Sequence, residues 1–223
     1  MKQSNIFYLI AIGFLLFVST KVFSQNSIKL FDEGWRFHRG DVANAEQISF
    51  KDNSWRDIDL PHDWSIEDLP GTNSPFIPDA INGVSVGFTT GGIGWYRKTF
   101  TLPVNQQNKR ISILFDGVYM NSDVWVNGVH LGNHPYGYTS FYYDITDKIK
   151  KNEKNIIAVQ VKNEGANSRW YAGSGINRHV WLIETNPVHV AQWGNYITTP
   201  EVNVSSAKVN IKTRVENETG VSA

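Results

Sequence analysis

The residues able to do chemistry stand in a few short constellations. Asp57 and Asp59 alternate, so on an extended strand both carboxylates share a face, as an acid/base pair requires. Beside Leu60-Pro61 they read instead as a solvated edge. His62 and Asp63 are adjacent and would point apart on a strand, which suits loop-fixing hydrogen bonds better than a catalytic dyad. His130 and His134 have the i, i+4 spacing of a helical metal pair, but Gly132 within and Pro135 after it argue against a helix. Gly173-Ser174-Gly175 has the centre of a nucleophile elbow, yet the position two before the serine, glycine in such an elbow, is Ala172. Gly92-Ile93-Gly94 lacks the third glycine of a dinucleotide fingerprint. The site-like region that remains is Ser168 to Arg178, together with the loop before Trp95. Trp170 and Tyr171 would stack on a sugar or simply pack, since aromatic faces suit the C–H faces of sugars as well as a core.

The elements that must position these residues read as strands. Asn127-Gly128 is the preferred pair for a type I′ hairpin turn. Around it Val126 faces Val129, Trp125 faces His130 and Val124 faces Leu131, with the aliphatic side chains on one face. Ile28 to His38 is expected as a first strand with Trp35 and Phe37 inward. Trp95 to Leu102, Arg110 to Phe115, Phe141 to Ile145, Ile157 to Val161 and Val180 to Ile183 alternate in the same way. Pro70 to Gly94 exceeds a normal connection of about 4–6 residues, and its Phe76, Ile77 and Phe88 argue against plain disorder. The sum is roughly eight short strands at hairpin spacing, which predicts an all-β, antiparallel jelly-roll or galactose-binding-like sandwich over 25–186. After Pro187 two more strands, Val188 to Thr198 and Ala207 to Val215, look like the start of a second, incomplete sandwich spanning 187–223.

Met1 to Ser24 has the form of a signal peptide: Lys2, then the apolar run Ile6 to Val18, then Val22-Phe23-Ser24 before Gln25. The expectation is an exported protein without a membrane anchor. The 223 residues carry no net formal charge and no lysine- or arginine-rich run, which argues against nucleic acid or an anionic membrane as partner. The absence of cysteine removes disulfides, thiol chemistry and thiolate metal sites. No cofactor or metal is expected.

Five segments in order resemble one known family: Leu60-Pro61-His62-Asp63-Trp64, GWYRKTF from Gly94, FDGV from Phe115 with VWVNG from Val124, GNHPYGYTSFYYDIT from Gly132, and RWYAGSGINRHVW from Arg169. Together they are similar to the N-terminal sugar-binding domain of glycoside hydrolase family 2, the β-galactosidase group, over about 28–186, running into the start of its immunoglobulin-like second domain. The resemblance implies a parent that cleaves β-glycosidic bonds with two glutamates in a barrel C-terminal to residue 223. It implies no catalytic pair within this chain. Its partners would be a β-linked galactoside or related sugar, the rest of the same polypeptide, and further copies of itself in a homo-oligomer. In that family an acidic residue five positions before the Ser-Gly-Ile step often contacts the sugar; here that position is Arg169, a donor instead of an acceptor. Arg169 then either meets the sugar differently, through a carboxylate or sulfate on it, or leaves that contact to neighbouring groups; the plainer alternative is an ion pair that fixes the loop. Ser168, Arg169, Trp170 and Tyr171 are the expected substrate-facing residues. Two alternatives stand beside this reading: a stand-alone carbohydrate-binding module, which would bind sugar without a barrel, and a purely structural domain, which would not.

Overall fold

The computed structural model describes residues 26–80, 83–103, 108–165 and 173–222. In chain order its strands are β1 (Ser27–Leu30), β2 (Trp35–Arg39), β3 (Arg56–Ile58), β4 (Gly92–Phe100), β5 (Arg110–Phe115), β6 (Ser122–Val126), β7 (Val129–His134), β8 (Phe141–Asp144), β9 (Asn155–Asn163), β10 (Val180–Thr185), β11 (Val188–Val202) and β12 (Ala207–Asn217). Among the described residues there is no α-helix. One sheet has the order β1-β10-β5-β8 and the other β3-β2-β4-β9-β6-β7. Every pairing is antiparallel.

Alternation builds the sandwich. Tyr96 and Phe100 of β4, Ile157, Val159 and Val161 of β9, and Val124 and Val126 of β6 point inward from the larger sheet. They meet Ile111, Ile113 and Phe115 of β5 and Val180 and Leu182 of β10. Each such side chain, once buried, contributes about 1.5–3 kcal/mol, so this layer dominates stability. The larger sheet also packs on its outer face. Residues 40–55 fold back so that Ala45 and Trp55 bury against Trp95 and Ala158. Arg97, only 1% exposed, ties this flap down: its guanidinium donates to Asp52 at 2.9 Å and to the Ala45 carbonyl.

The structure corrects three expectations. Ile28 to His38 is two strands in opposite sheets, because the chain turns at Gly34 (φ +68°), whose N–H donates to Asp59. A period-two pattern cannot show that a strand changes sheet. The hairpin turn does take positive φ at Asn127 and Gly128, but Val124 pairs with Gly132, not Leu131. The bulge absorbs Leu131 of β7, beyond the Val126–Val129 and Trp125–His130 pairs, which keep the expected register. Among the described residues the sandwich has ten strands, not eight, since Ile28 to His38 divides into β1 and β2 and the three-residue β3 is too short to stand out as alternation. β11 and β12 pair with each other as a long hairpin. Arg110 of β5 joins this hairpin to the sandwich by pairing with Asp144 at 2.6 Å and with Glu218.

Candidate functional site

Ser168, Arg169, Trp170 and Tyr171 lie outside the described residues, but both flanks of their segment, up to Gly165 and from Gly173, are described. The flanks are held by the motif that begins at Leu60. The His62 N–H donates to the Ile176 carbonyl at 2.8 Å and the Trp64 N–H to the Ser174 carbonyl at 3.0 Å. Asp63 Oδ1 accepts both the Ser65 N–H, at 2.9 Å, and the Ser174 N–H, at 2.7 Å. One carboxylate thus caps the 3₁₀ turn Trp64–Ile66 and grips a chain 111 residues away.

A buried polar network lies beneath. Ser174 is fully buried, Ser65 1% exposed and Asn163 3% exposed. Ser65 Oγ is 2.7 Å from the Thr90 carbonyl and 2.6 Å from Ser174 Oγ, and Asn163 Nδ2 donates to Ser174 Oγ at 2.7 Å. A hydroxyl has one proton, and the Thr90 carbonyl can only accept. Ser65 therefore donates to Thr90 and accepts the Ser174 proton. Three segments meet here: the Leu60 motif, the end of the Pro70 to Gly94 loop, and the chain on either side of 166–172.

Close approach makes this meeting possible. A Cβ on Gly173 would lie 2.3 Å from Asp63 Oδ2, and one on Gly175 2.2 Å from the Tyr96 hydroxyl. The sequence placed these glycines near a failed nucleophile elbow; the structure makes them sites of backbone contact. Ser174 has its hydroxyl committed to Ser65 and Asn163.

His62 continues the network outward. Its Nδ1 is 2.7 Å from the Tyr96 hydroxyl and its Nε2 2.9 Å from Glu67 Oε1, which also takes Arg56 Nη2 at 2.6 Å. Burial lowers the His62 pKa, with Glu67 only partly opposing it. Burial pushes the Tyr96 hydroxyl well up. Burial alone would raise Glu67, but hydrogen bonds from Arg56 and His62 outweigh it and hold the carboxyl below its usual value. At neutral pH the chain is tyrosine hydroxyl, neutral imidazole and carboxylate, with Arg56 Nη2 also 2.9 Å from His62 Nε2. That arrangement positions loops; it leaves no poised acid or base facing solvent.

The other candidates are not brought together as reacting groups. Asp57 is exposed and pairs with Arg36 at 3.5 Å, while Asp59 accepts from Gly34. His130 binds Asp123 at 2.8 Å and His134 stacks on Phe141 with centroids 4.2 Å apart. Among the described residues no group of three or more His, Asp or Glu side chains is arranged to hold a metal ion. The Asn177 side-chain oxygen, just past the candidate segment, is buried without a hydrogen-bond partner. Sequence reasoning missed Ser65, Tyr96, Thr90 and Asn163 as parts of this assembly. The only signal was the polar Asp63 and Ser65 flanking a tryptophan.

The two antiparallel sheets and the polar stitching at one loop end define a galactose-binding-like β-sandwich. The family model for "Glycosyl hydrolases family 2, sugar binding domain" matches residues 28–186. The chain belongs to glycoside hydrolase family 2. It is 48% identical over 201 residues to a β-galactosidase of Bacteroides ovatus, covering 90% of this chain and 23% of that protein. It is 29% identical over 222 residues to a β-glucuronidase of Formosa agariphila, covering 87% of this chain and 22% of that protein. Among solved structures, a family 2 member from Bacteroides cellulosilyticus superposes with a TM-score of 0.83 at 53% identity, over 87% of this chain and 25% of that one. The chain thus spans about a fifth of the length of the curated relatives it matches.

Proposed function

We propose that this chain is the N-terminal, sugar-facing part of an exported β-glycosidase that hydrolyses O-glycosidic bonds in carbohydrate metabolism. The single observation that carries the reading is the 48% match to a β-galactosidase, which runs along nearly the whole chain yet spans under a quarter of the relative. In this reading the acid/base and nucleophile glutamates belong to a barrel C-terminal to Ala223. The sandwich lends it the 166–172 segment. The Asp63, Ser65 and Ser174 stitching supports that role, because a loop that contacts a substrate must be held to within a fraction of an ångström. Arg169, Trp170, Tyr171 and Ser168 are the residues proposed to face the sugar. Met1 to Ser24 is proposed to direct export and to be removed.

The test is expression of the complete reading frame and assay on p-nitrophenyl β-galactoside and β-glucuronide. Turnover of either is expected from the complete protein, with none from residues 1–223 alone. An inactive complete protein whose isolated sandwich binds sugar would replace this reading with a binding module.

A further inference from the structure

The turn between β7 and β8, residues 135–140, reads Pro-Tyr-Gly-Tyr-Thr-Ser and carries no charged side chain. All of it is exposed except Gly137. Tyr136 is 55% exposed and Tyr138 41%. Both rings are nevertheless held in place. Tyr119, only 3% exposed, lies beneath them. Its ring meets Tyr138 edge to face with centroids 5.2 Å apart, and Tyr138 meets Tyr136 in the same way at 5.7 Å. Near-perpendicular rings at these separations fix one another's orientation. Gly137 makes the seat, since a Cβ there would run into the Tyr119 ring. The Pro135 carbonyl accepts the Asn121 N–H at 3.2 Å, and His134 Nε2 is 3.1 Å from Thr139 Oγ1. The backing tyrosine also ties this turn to the flank of 166–172. Tyr119 and Gly175 exchange both backbone hydrogen bonds, at 2.9 and 2.8 Å, and Gly175 directly follows the buried Ser174.

We propose that Tyr136 and Tyr138 form a stacking platform for a pyranose ring of the carbohydrate that 166–172 is proposed to face. That the ligand is a sugar rests on the reading above; the platform rests on the exposure and packing of the two rings. A tyrosine face offers its negative π surface to the C–H groups on one side of a pyranose, while the hydroxyl at its tip exchanges hydrogen bonds with those of the sugar. The tips point to this occupant. Phenylalanines, such as the exposed Phe76 and Phe88, offer no hydrogen bond at the ring edge. Tyrosines suit a ligand that is apolar on its faces and polar around its rim, as a pyranose is. The backing by Tyr119 also lowers the cost of binding, because rings already held in one orientation lose little rotamer freedom when a ligand settles on them.

The experiment is nitration by tetranitromethane of the protein expressed from its complete reading frame, with the modified residues located by peptide mass spectrometry. Tyr136 and Tyr138 are expected to be nitrated in the free protein, and Tyr119 to stay unmodified. Methyl β-D-galactoside or methyl β-D-glucuronide is expected to slow nitration of both exposed tyrosines saturably, by at least about threefold, and the acyclic polyol sorbitol to leave it unchanged. In Tyr136→Ala the glycoside concentration that half-protects Tyr138 is expected to rise about threefold to tenfold, and in Tyr136→Phe, which keeps the ring, by less than about threefold. Tyrosines that resist nitration in the free protein are covered by the rest of the polypeptide, and that result overturns the proposal. So does nitration that neither glycoside slows, equal protection by sorbitol, or a half-protecting concentration unchanged in Tyr136→Ala. The unmutated protein decides the question by itself should Tyr136→Ala not fold. Turnover is read separately. An inactive protein whose tyrosines are protected defeats the hydrolase reading and leaves the platform, and an active one without protection defeats the platform alone.

Discussion

Replacing Ser174 by alanine tests whether the buried network fixes the candidate loop. The substitution removes the Asn163 Nδ2 contact at 2.7 Å and the Ser65 contact at 2.6 Å, and it leaves the backbone bonds to Asp63 and Trp64 in place. Two neutral hydrogen bonds contribute about 1 kcal/mol each, and a buried donor left without its acceptor costs about 1–3 kcal/mol. Water cannot easily compensate, because Ser174, Ser65 and Asn163 are at most 3% exposed. The expected loss is about 2–4 kcal/mol, which at about 2–4 °C per kcal/mol lowers Tm by roughly 5–15 °C. Thermal unfolding followed by near-ultraviolet circular dichroism reads it directly. A double-mutant cycle with Ser65→Ala isolates the hydroxyl pair, with an expected coupling of about 1 kcal/mol or more. A Tm within about 1 °C of the parent, or strictly additive single variants, would refute the claim that these hydroxyls act as a unit.

Two further predictions concern the same assembly. Gly175→Ala places a methyl group 2.2 Å from the Tyr96 hydroxyl and 2.6 Å from the His62 carbonyl at φ +132°, and both neighbours are held by other bonds. Overpacking and backbone strain of about 1–3 kcal/mol each should cut the soluble yield or lower Tm by several degrees, and an unchanged melting curve would show that the approach is not tight. The pH dependence follows from His62. Its folded pKa is depressed below the ordinary 6.5, so below that pH the unfolded chain binds the proton more readily. The stabilisation is fully present above about pH 6.5 and is lost as pH falls through the lowered value. His134, also lowered by burial, adds in the same direction, whereas Glu67, Asp123 and Asp144 are held below their usual values and titrate at lower pH. Urea midpoints are therefore expected to fall between pH 7.5 and 5.5, and to fall less in His62→Gln. Identical slopes in the two proteins would remove His62 as a source.

Much of the architecture is local in origin and was legible in the sequence. Alternation at Ile111-Ile113-Phe115 and Ile157-Val159-Val161 has period two because strand side chains alternate between faces, and that pattern needs no partner to be read. Asn127-Gly128 took positive φ at both positions for the same local reason. The five ordered motifs identified the family, which the match over 28–186 shows. Tertiary structure decided what local patterns cannot contain. Nothing around Gly34 says that β1 and β2 lie in opposite sheets, and nothing around Leu131 says that a bulge shifts the register, since both depend on which strand lies alongside. Asp63 and Ser174 are 111 positions apart, and Ser65 and Ser174 are 109. Each alone reads as an ordinary loop residue. Only when the sandwich closes do these short polar side chains leave water together, and burial then turns them into a specific network.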